Sequence, residues 1–152
     1  VNPTHLLEYV IRPTLDTLDL GGHDAEQLVL GTAIVESGLQ YLHQLGNGPA
    51  IGLWQMEPAT HDDIYEHYLK YQAPLTGALG RLIVEHQKAL AKQMAWNLYY
   101  GAAMCRIHYR RVSAPLPKTL DECAEYWKKH YNTSLDKGTV EKYVKSFNNM
   151  VK

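Results

Sequence analysis

The sequence predicts a single, mainly α domain over residues 1–152. Three observations carry that expectation. Apolar residues recur three and four positions apart through nearly every segment, the period of a helix with one face in a core. Asn, Asp, Thr and Pro stand where those segments begin, and Gly where several end. No alternating apolar–polar stretch of useful length interrupts them. The chain is long enough for one core, and it holds no repeat and no low-complexity tract.

Asn2-Pro3 supplies an N-cap and a Pro at the first helical position, ahead of Leu6, Leu7, Val10 and Ile11. Pro13 interrupts or restarts that helix, Leu15 and Leu18 continue its apolar face, and Gly21-Gly22 ends it. Asp24 with Gln27 resembles a capping box and opens the next helix, which runs to Glu36. Gly46 to Gly52 is an irregular loop, rich in Gly with one Pro. Pro58 and Thr60 start a further helix, with Asp63 as the cap partner of Thr60 and Ile64, Tyr65, Tyr68 and Leu69 as its apolar side. Residues 74–80 read as an internal loop. Leu79, Leu82, Ile83, Leu90 and Met94 then recur at helical spacing. Residues 95–111 read as one strong helix, with Arg110-Arg111 near its end, where cations suit the helix dipole, and Pro115 and Pro117 beyond it. Residues 119–130 form a helix around Leu120, Cys123, Ala124 and Trp127. Gly138 precedes the last helix, through Val140, Tyr143, Val144 and Phe147.

Hydrophobic residues are 45% of the chain and charged residues 20%, the balance of a soluble folded protein. Fifteen basic and sixteen acidic residues leave a net charge of -1, which argues against nucleic acid as the main ligand. No apolar run approaches the roughly 20 residues of a membrane span, so no membrane insertion is expected. The start, Val1-Asn2-Pro3-Thr4-His5, lacks the basic and apolar parts of a secretory signal and has no initiator Met. The expectation is a chain trimmed or cut from a longer protein. Cys105 and Cys123 are expected to be reduced and buried, a bridge between them being possible but unsupported. Eight His form no HxxxH pair and there is no CxxC, so no metal site is expected. Eleven Tyr and three Trp stand against one Phe. Tyr and Trp pair a flat apolar face with a polar tip. They suit a wet groove holding a sugar polymer, and equally an ordinary half-buried helix surface.

Glu36 is the leading candidate for chemistry. It closes the apolar run Leu28 to Val35 and is followed at once by Ser37-Gly38. Leu28, Thr32 and Glu36 are four apart, which sets Glu36 beside the stripe that faces the core. Burial disfavours a charged carboxyl, and a Glu tuned to about pH 6–7 can give up a proton near neutrality. An exposed helix-end Glu without a role is the plain alternative for such a residue taken alone.

Glu36-Ser37, then Gly52-Leu53-Trp54-Gln55-Met56, with Pro58 and Thr60 following, resembles the pattern of soluble lytic transglycosylases and goose-type lysozymes. Asn97-Leu98-Tyr99-Tyr100-Gly101 is similar to that family's Asn-x-x-x-Gly helix. Ala124-Glu125-Tyr126 falls where the family often has Ala-Tyr-Asn, and Tyr143-Val144 resembles its closing Tyr-Val. The likeness covers roughly residues 24–147, and residues 29–65 resemble phage-encoded members.

The resemblance implies a lysozyme-like fold with a substrate cleft. It implies a monomer that acts on peptidoglycan glycan strands without a cofactor. Such a protein would be made in a host cytoplasm and act on the bacterial wall, released for lysis or carried by the virion. Glu36 would be the general acid and then the base at the MurNAc–GlcNAc bond. Gln55 would bind the sugar or its N-acetyl group. Ser37 would orient Glu36 or touch substrate, and Tyr126 would hold the Glu36 carboxylate. Trp54, where the family usually has Met, would line the cleft or pack beneath it. Each role has a plainer alternative: a helix-end backbone bond for Ser37, a surface loop for Gln55, core for Tyr126. Trp127 also departs from the Asn that the family places there. Trp96, Tyr99 and Tyr100 read as core or groove wall.

Most glycoside hydrolases use two carboxylates. Between Glu36 and Glu57 there is no Asp or Glu, and goose-type lysozymes place an assisting Asp in that loop. The next candidates are Glu57, Asp62 and Asp63. With one carboxylate, intramolecular attack by the MurNAc 6-hydroxyl is the natural chemistry, helped by high effective molarity. The expectation is a lytic transglycosylase, with a lysozyme-type hydrolase or a non-catalytic peptidoglycan-binding or virion module as alternatives.

Overall fold

In the computed structural model, residues 1–85, 90–132 and 138–151 are described. Among them the protein is mainly α. Helix α1 (Pro3–Leu6), a π turn (Leu7–Ile11) and helix α2 (Arg12–Thr17) follow without a gap. The Asn2 side chain accepts from the His5 N–H at 3.1 Å, as expected of an N-cap. The π register just before Pro13 accommodates a residue that has no N–H to give.

Helix α3 (His23–Ser37) is the central rod. Residues Leu28 to Val35 are all buried, so the expected apolar stripe is in fact apolar all round, as a helix enclosed by others requires. Its start corrects one expectation. The helix begins at His23, which puts Asp24 inside the first turn instead of at the cap. There Asp24 meets the helix dipole and pairs with Lys118 at 3.2 Å, and no capping box forms. Gly38, at φ +59°, closes the helix in the left-handed conformation, its N–H reaching the Ile34 carbonyl at 2.9 Å.

The chain from Gly38 to Glu57 is irregular, held by two isolated antiparallel bridges, His43 with Ile51 and Ile51 with Met56. Helix α4 (Pro58–His67) follows, then a 3-10 turn (Leu69–Tyr71). Glu57, not Thr60, stands at the cap of α4, and Asp63 turns away to Arg111 and His67. Residues expected as a loop form helix α5 (Ala73–Gly80). Pro74 sits in its first turn, where a missing N–H costs nothing, and Ala78 and Leu79 are buried. The helical spacing expected from Leu79 to Met94 is broken after Gly80, and part of that stretch lies outside the described residues.

The single helix expected over residues 95–111 is two. Helix α6 (Leu90–Trp96) stops at Asn97, whose side chain caps helix α7 (Leu98–Arg110) by accepting from the Tyr100 N–H at 3.1 Å. The Asn97 amide also donates to the Leu82 carbonyl at 2.8 Å, so the break is held by the preceding chain. Helix α8 (Leu120–His130) is capped by Thr119, and helix α9 (Val140–Val151) closes the chain.

Helix α7 is the wall between two packed clusters. Ala102, Cys105 and Tyr109 join α3, Trp54, Trp127 and Tyr143 on one side. Tyr100, Ala103, Met104 and Ile107 join Ile64, Leu79 and Met94 on the other. Cys105 and Cys123 are both buried free thiols. No described helix is long and apolar enough to cross a membrane.

Candidate functional site

The C-terminal end of α3 opens onto a groove of about 920 Å³. Glu36 lines it, half-buried, at the point where the apolar helix meets solvent. The Trp127 indole N–H donates to Glu36 Oε2 at 2.9 Å. Gln55 also lines the groove, on a turn that Gly52 makes possible. Gly52 has φ +80°, and a Cβ there would overlap the Met94 carbonyl, so only glycine fits. Gln55 itself is held at φ +48°, uncommon for a residue with a side chain. Its amide nitrogen donates to the Gly52 carbonyl at 2.9 Å, which fixes the orientation of the amide.

Trp54 does not line the groove. It is 2% exposed, and its indole donates to the Val29 carbonyl at 2.9 Å. Its ring packs on Gly101, where an added Cβ would come within 3.1 Å. Trp54 therefore supports the Gln55 turn from below; of the two roles expected for it, lining the cleft is corrected to packing beneath it. The Ser37 side chain is buried: its hydroxyl donates to the Ala33 carbonyl at 3.0 Å and accepts from the Leu39 N–H at 3.2 Å. It borders the groove but holds the helix end.

Tyr126 is the second correction. Its hydroxyl donates to the Ala114 carbonyl at 3.2 Å, and its ring meets Tyr109 and His130. Successive residues on a helix point about 100° apart. On α8 that rotation turns Tyr126 away and brings Trp127 to the Glu36 carboxylate.

Tyr131 is the groove residue that sequence reasoning missed. Its hydroxyl donates to the Trp54 carbonyl at 2.6 Å. Burial pushes its phenol well above the ordinary value, and the neighbouring Cys105 thiol and Glu36 carboxylate add to the effect. Tyr131 thus stays a neutral donor across the physiological range. Asn132 also lines the groove, as does Lys142 from α9.

Of the three candidate second carboxylates, Glu57 alone borders the groove among the described residues. It also borders a smaller pocket of about 160 Å³ that shares Gln55 and Tyr131 with it. Asp62 bonds the buried His61 ring at 2.9 Å. Asp63 accepts from Arg111 at 3.0 Å and meets His67 at 2.8 Å; those two hydrogen bonds hold its carboxyl below the usual range.

No protein-family model matches the chain, nor does any curated protein or solved structure.

Proposed function

We propose that this chain is a muralytic enzyme, a lytic transglycosylase acting on the MurNAc-β-1,4-GlcNAc bond of peptidoglycan glycan strands. The observation that carries the reading is the placement of Glu36. It is a carboxyl at the end of a buried helix, on a groove that Gln55 also lines, with one oxygen held by a buried indole. A positioned acid of this kind is what proton transfer to a leaving oxygen needs.

In the reaction, protonated Glu36 gives its proton to the glycosidic oxygen as the bond from that oxygen to MurNAc C1 breaks. The resulting carboxylate then takes the proton of the MurNAc 6-hydroxyl as O6 bonds to C1. The products are a 1,6-anhydro-MurNAc end and a GlcNAc 4-hydroxyl. No water is consumed and no cofactor is required. Gln55, on its rigid turn, offers an amide for the sugar hydroxyls or the acetamido group.

Glu57 supports a second reading. It borders the same groove, so a lysozyme-type hydrolase could use it to activate water. Mass spectrometry of the soluble fragments from purified peptidoglycan separates the readings. Anhydro-MurNAc ends support the transglycosylase, and reducing MurNAc ends support the hydrolase. No fragments from folded protein would leave a peptidoglycan-binding or virion structural module.

A further inference from the structure

We propose that Trp127 is the positioning residue for Glu36, and that its N–H favours the acid proton on the carboxyl oxygen it does not bind. The inference rests on the reading of Glu36 as the general acid. Trp127 is 1% exposed and donates from Nε1 to Glu36 Oε2 at 2.9 Å. An indole N–H donates and never accepts. A phenol or imidazole in its place could exchange a proton with the carboxyl, and the indole cannot.

When Glu36 is protonated, the carbonyl oxygen of the acid is a better acceptor than the hydroxyl oxygen. The indole therefore favours Oε2 as the carbonyl and Oε1 as the oxygen that carries the proton. The proton leaves from Oε1 to the glycosidic oxygen as the bond to C1 breaks. The carboxylate that remains keeps the same N–H, now as a charge-assisted and stronger bond. Oε1 then takes the 6-hydroxyl proton as O6 bonds to C1. The same indole N–H thus holds Oε2 through both half-reactions.

The indole has little room to turn away. Its ring meets Tyr143 of α9 at 5.4 Å between centroids. Gly138 lies against its far edge at φ +66°, where a Cβ would overlap the ring. Gly31 of α3 lets the Tyr143 hydroxyl approach in the same way. The closing helix therefore braces Trp127, and through it the acid.

Nitrogen-15 NMR tests the bond without any assumption about activity. The Trp127 indole resonance is identified by its loss in Trp127→Phe, or by elimination with Trp54→Phe and Trp96→Phe if that variant does not fold. It should shift as Glu36 titrates, and the shift should vanish in Glu36→Gln. A resonance that ignores pH, or that shifts equally in Glu36→Gln, overturns the bond. Kinetics on peptidoglycan test the consequence. Trp127→Phe should lower kcat about ten- to a hundredfold, the effect of one hydrogen bond to a charged group, with KM within about twofold. Trp127→His, which restores a ring N–H, should recover part of the loss. Unchanged kcat, or a loss matched by the fraction unfolded, overturns the positioning role. Wild-type protein inactive on peptidoglycan would defeat the reading of Glu36 as the acid, and the NMR result would still decide the hydrogen bond.

Discussion

The Tyr131 hydroxyl donates to the Trp54 carbonyl at 2.6 Å, and so ties the chain just after α8 to the turn that carries Gln55. Tyr131 and Gln55 both line the groove, so two of its lining segments are joined at this point. Trp54 is anchored in turn to α3 through Val29, so the turn, the central helix and the end of α8 form one closed set of contacts.

Tyr131→Phe removes that tie and leaves the Trp54 carbonyl without its donor. The expected cost is about 1–3 kcal/mol of stability. Urea unfolding measures it. Lytic activity at a temperature where the variant is fully folded should also fall, because the Gln55 turn is less firmly held. Unchanged stability would show that water replaces the bond at no cost.

Gly52→Ala meets two obstacles at once, a positive φ and overlap with the Met94 carbonyl. Strain of this kind costs about 1–3 kcal/mol, and the overlap adds to it. The variant is expected to melt well below the wild type or to fail to accumulate. Gly77→Ala is the matching control, since nothing lies within 4 Å of its added Cβ. Equal melting temperatures for the two variants would contradict the geometry.

Glu36→Gln keeps the size of the side chain and its acceptor for the Trp127 indole. Clearing of a cell-wall suspension should slow by about 10²–10⁴-fold, while the thermal melt stays close to wild type. Lysis at the wild-type rate would remove Glu36 from the site.

Glu57→Gln distinguishes two carboxylates from one. Under the transglycosylase reading its fragments still end in anhydro-MurNAc, and the rate falls less than about tenfold. Loss of all product from this variant, with the fold intact, would assign Glu57 a part in the chemistry.

Acid should destabilise the fold through buried His61 and half-buried His108. Burial, aided by Arg111, lowers the His108 pKa from 6.5 to about 4, and burial lowers that of His61 as well. Arg111 donates to His108 Nδ1 at 2.7 Å, which requires that nitrogen to be unprotonated. Between those pH values the unfolded chain binds the His108 proton and the folded chain does not. Stability is therefore full above about pH 6.5 and is lost as pH falls toward 4. Urea midpoints measured from pH 7 to pH 4 should fall steadily, and less steeply in His108→Gln. A flat profile would contradict the neutral state of the His108 ring.

Much of the helical order was legible because it is local. Asn2-Pro3 and Pro58 act on the nearest backbone groups, and the structure uses them as helix starts. Residues 73–80 were not legible, because Pro and Gly read as loop residues unless their place within the turn is known. Asn97 was missed for a related reason. Within an apolar run it reads as one more helical position, and its role depends on Leu82, fifteen residues earlier in the chain.

The local pattern singled out Glu36, an acid closing an apolar helix, whereas Gln55 entered through the family resemblance; the fold brings both to one groove. Which side chain reaches the Glu36 carboxyl was settled by tertiary packing. Tyr126 and Trp127 are neighbours on α8, and either could have faced Glu36. The rotation of α8 about its axis decides between them. That rotation is set by Tyr126 packing on Tyr109 and by Trp127 packing on Tyr143, contacts with helices distant in the chain.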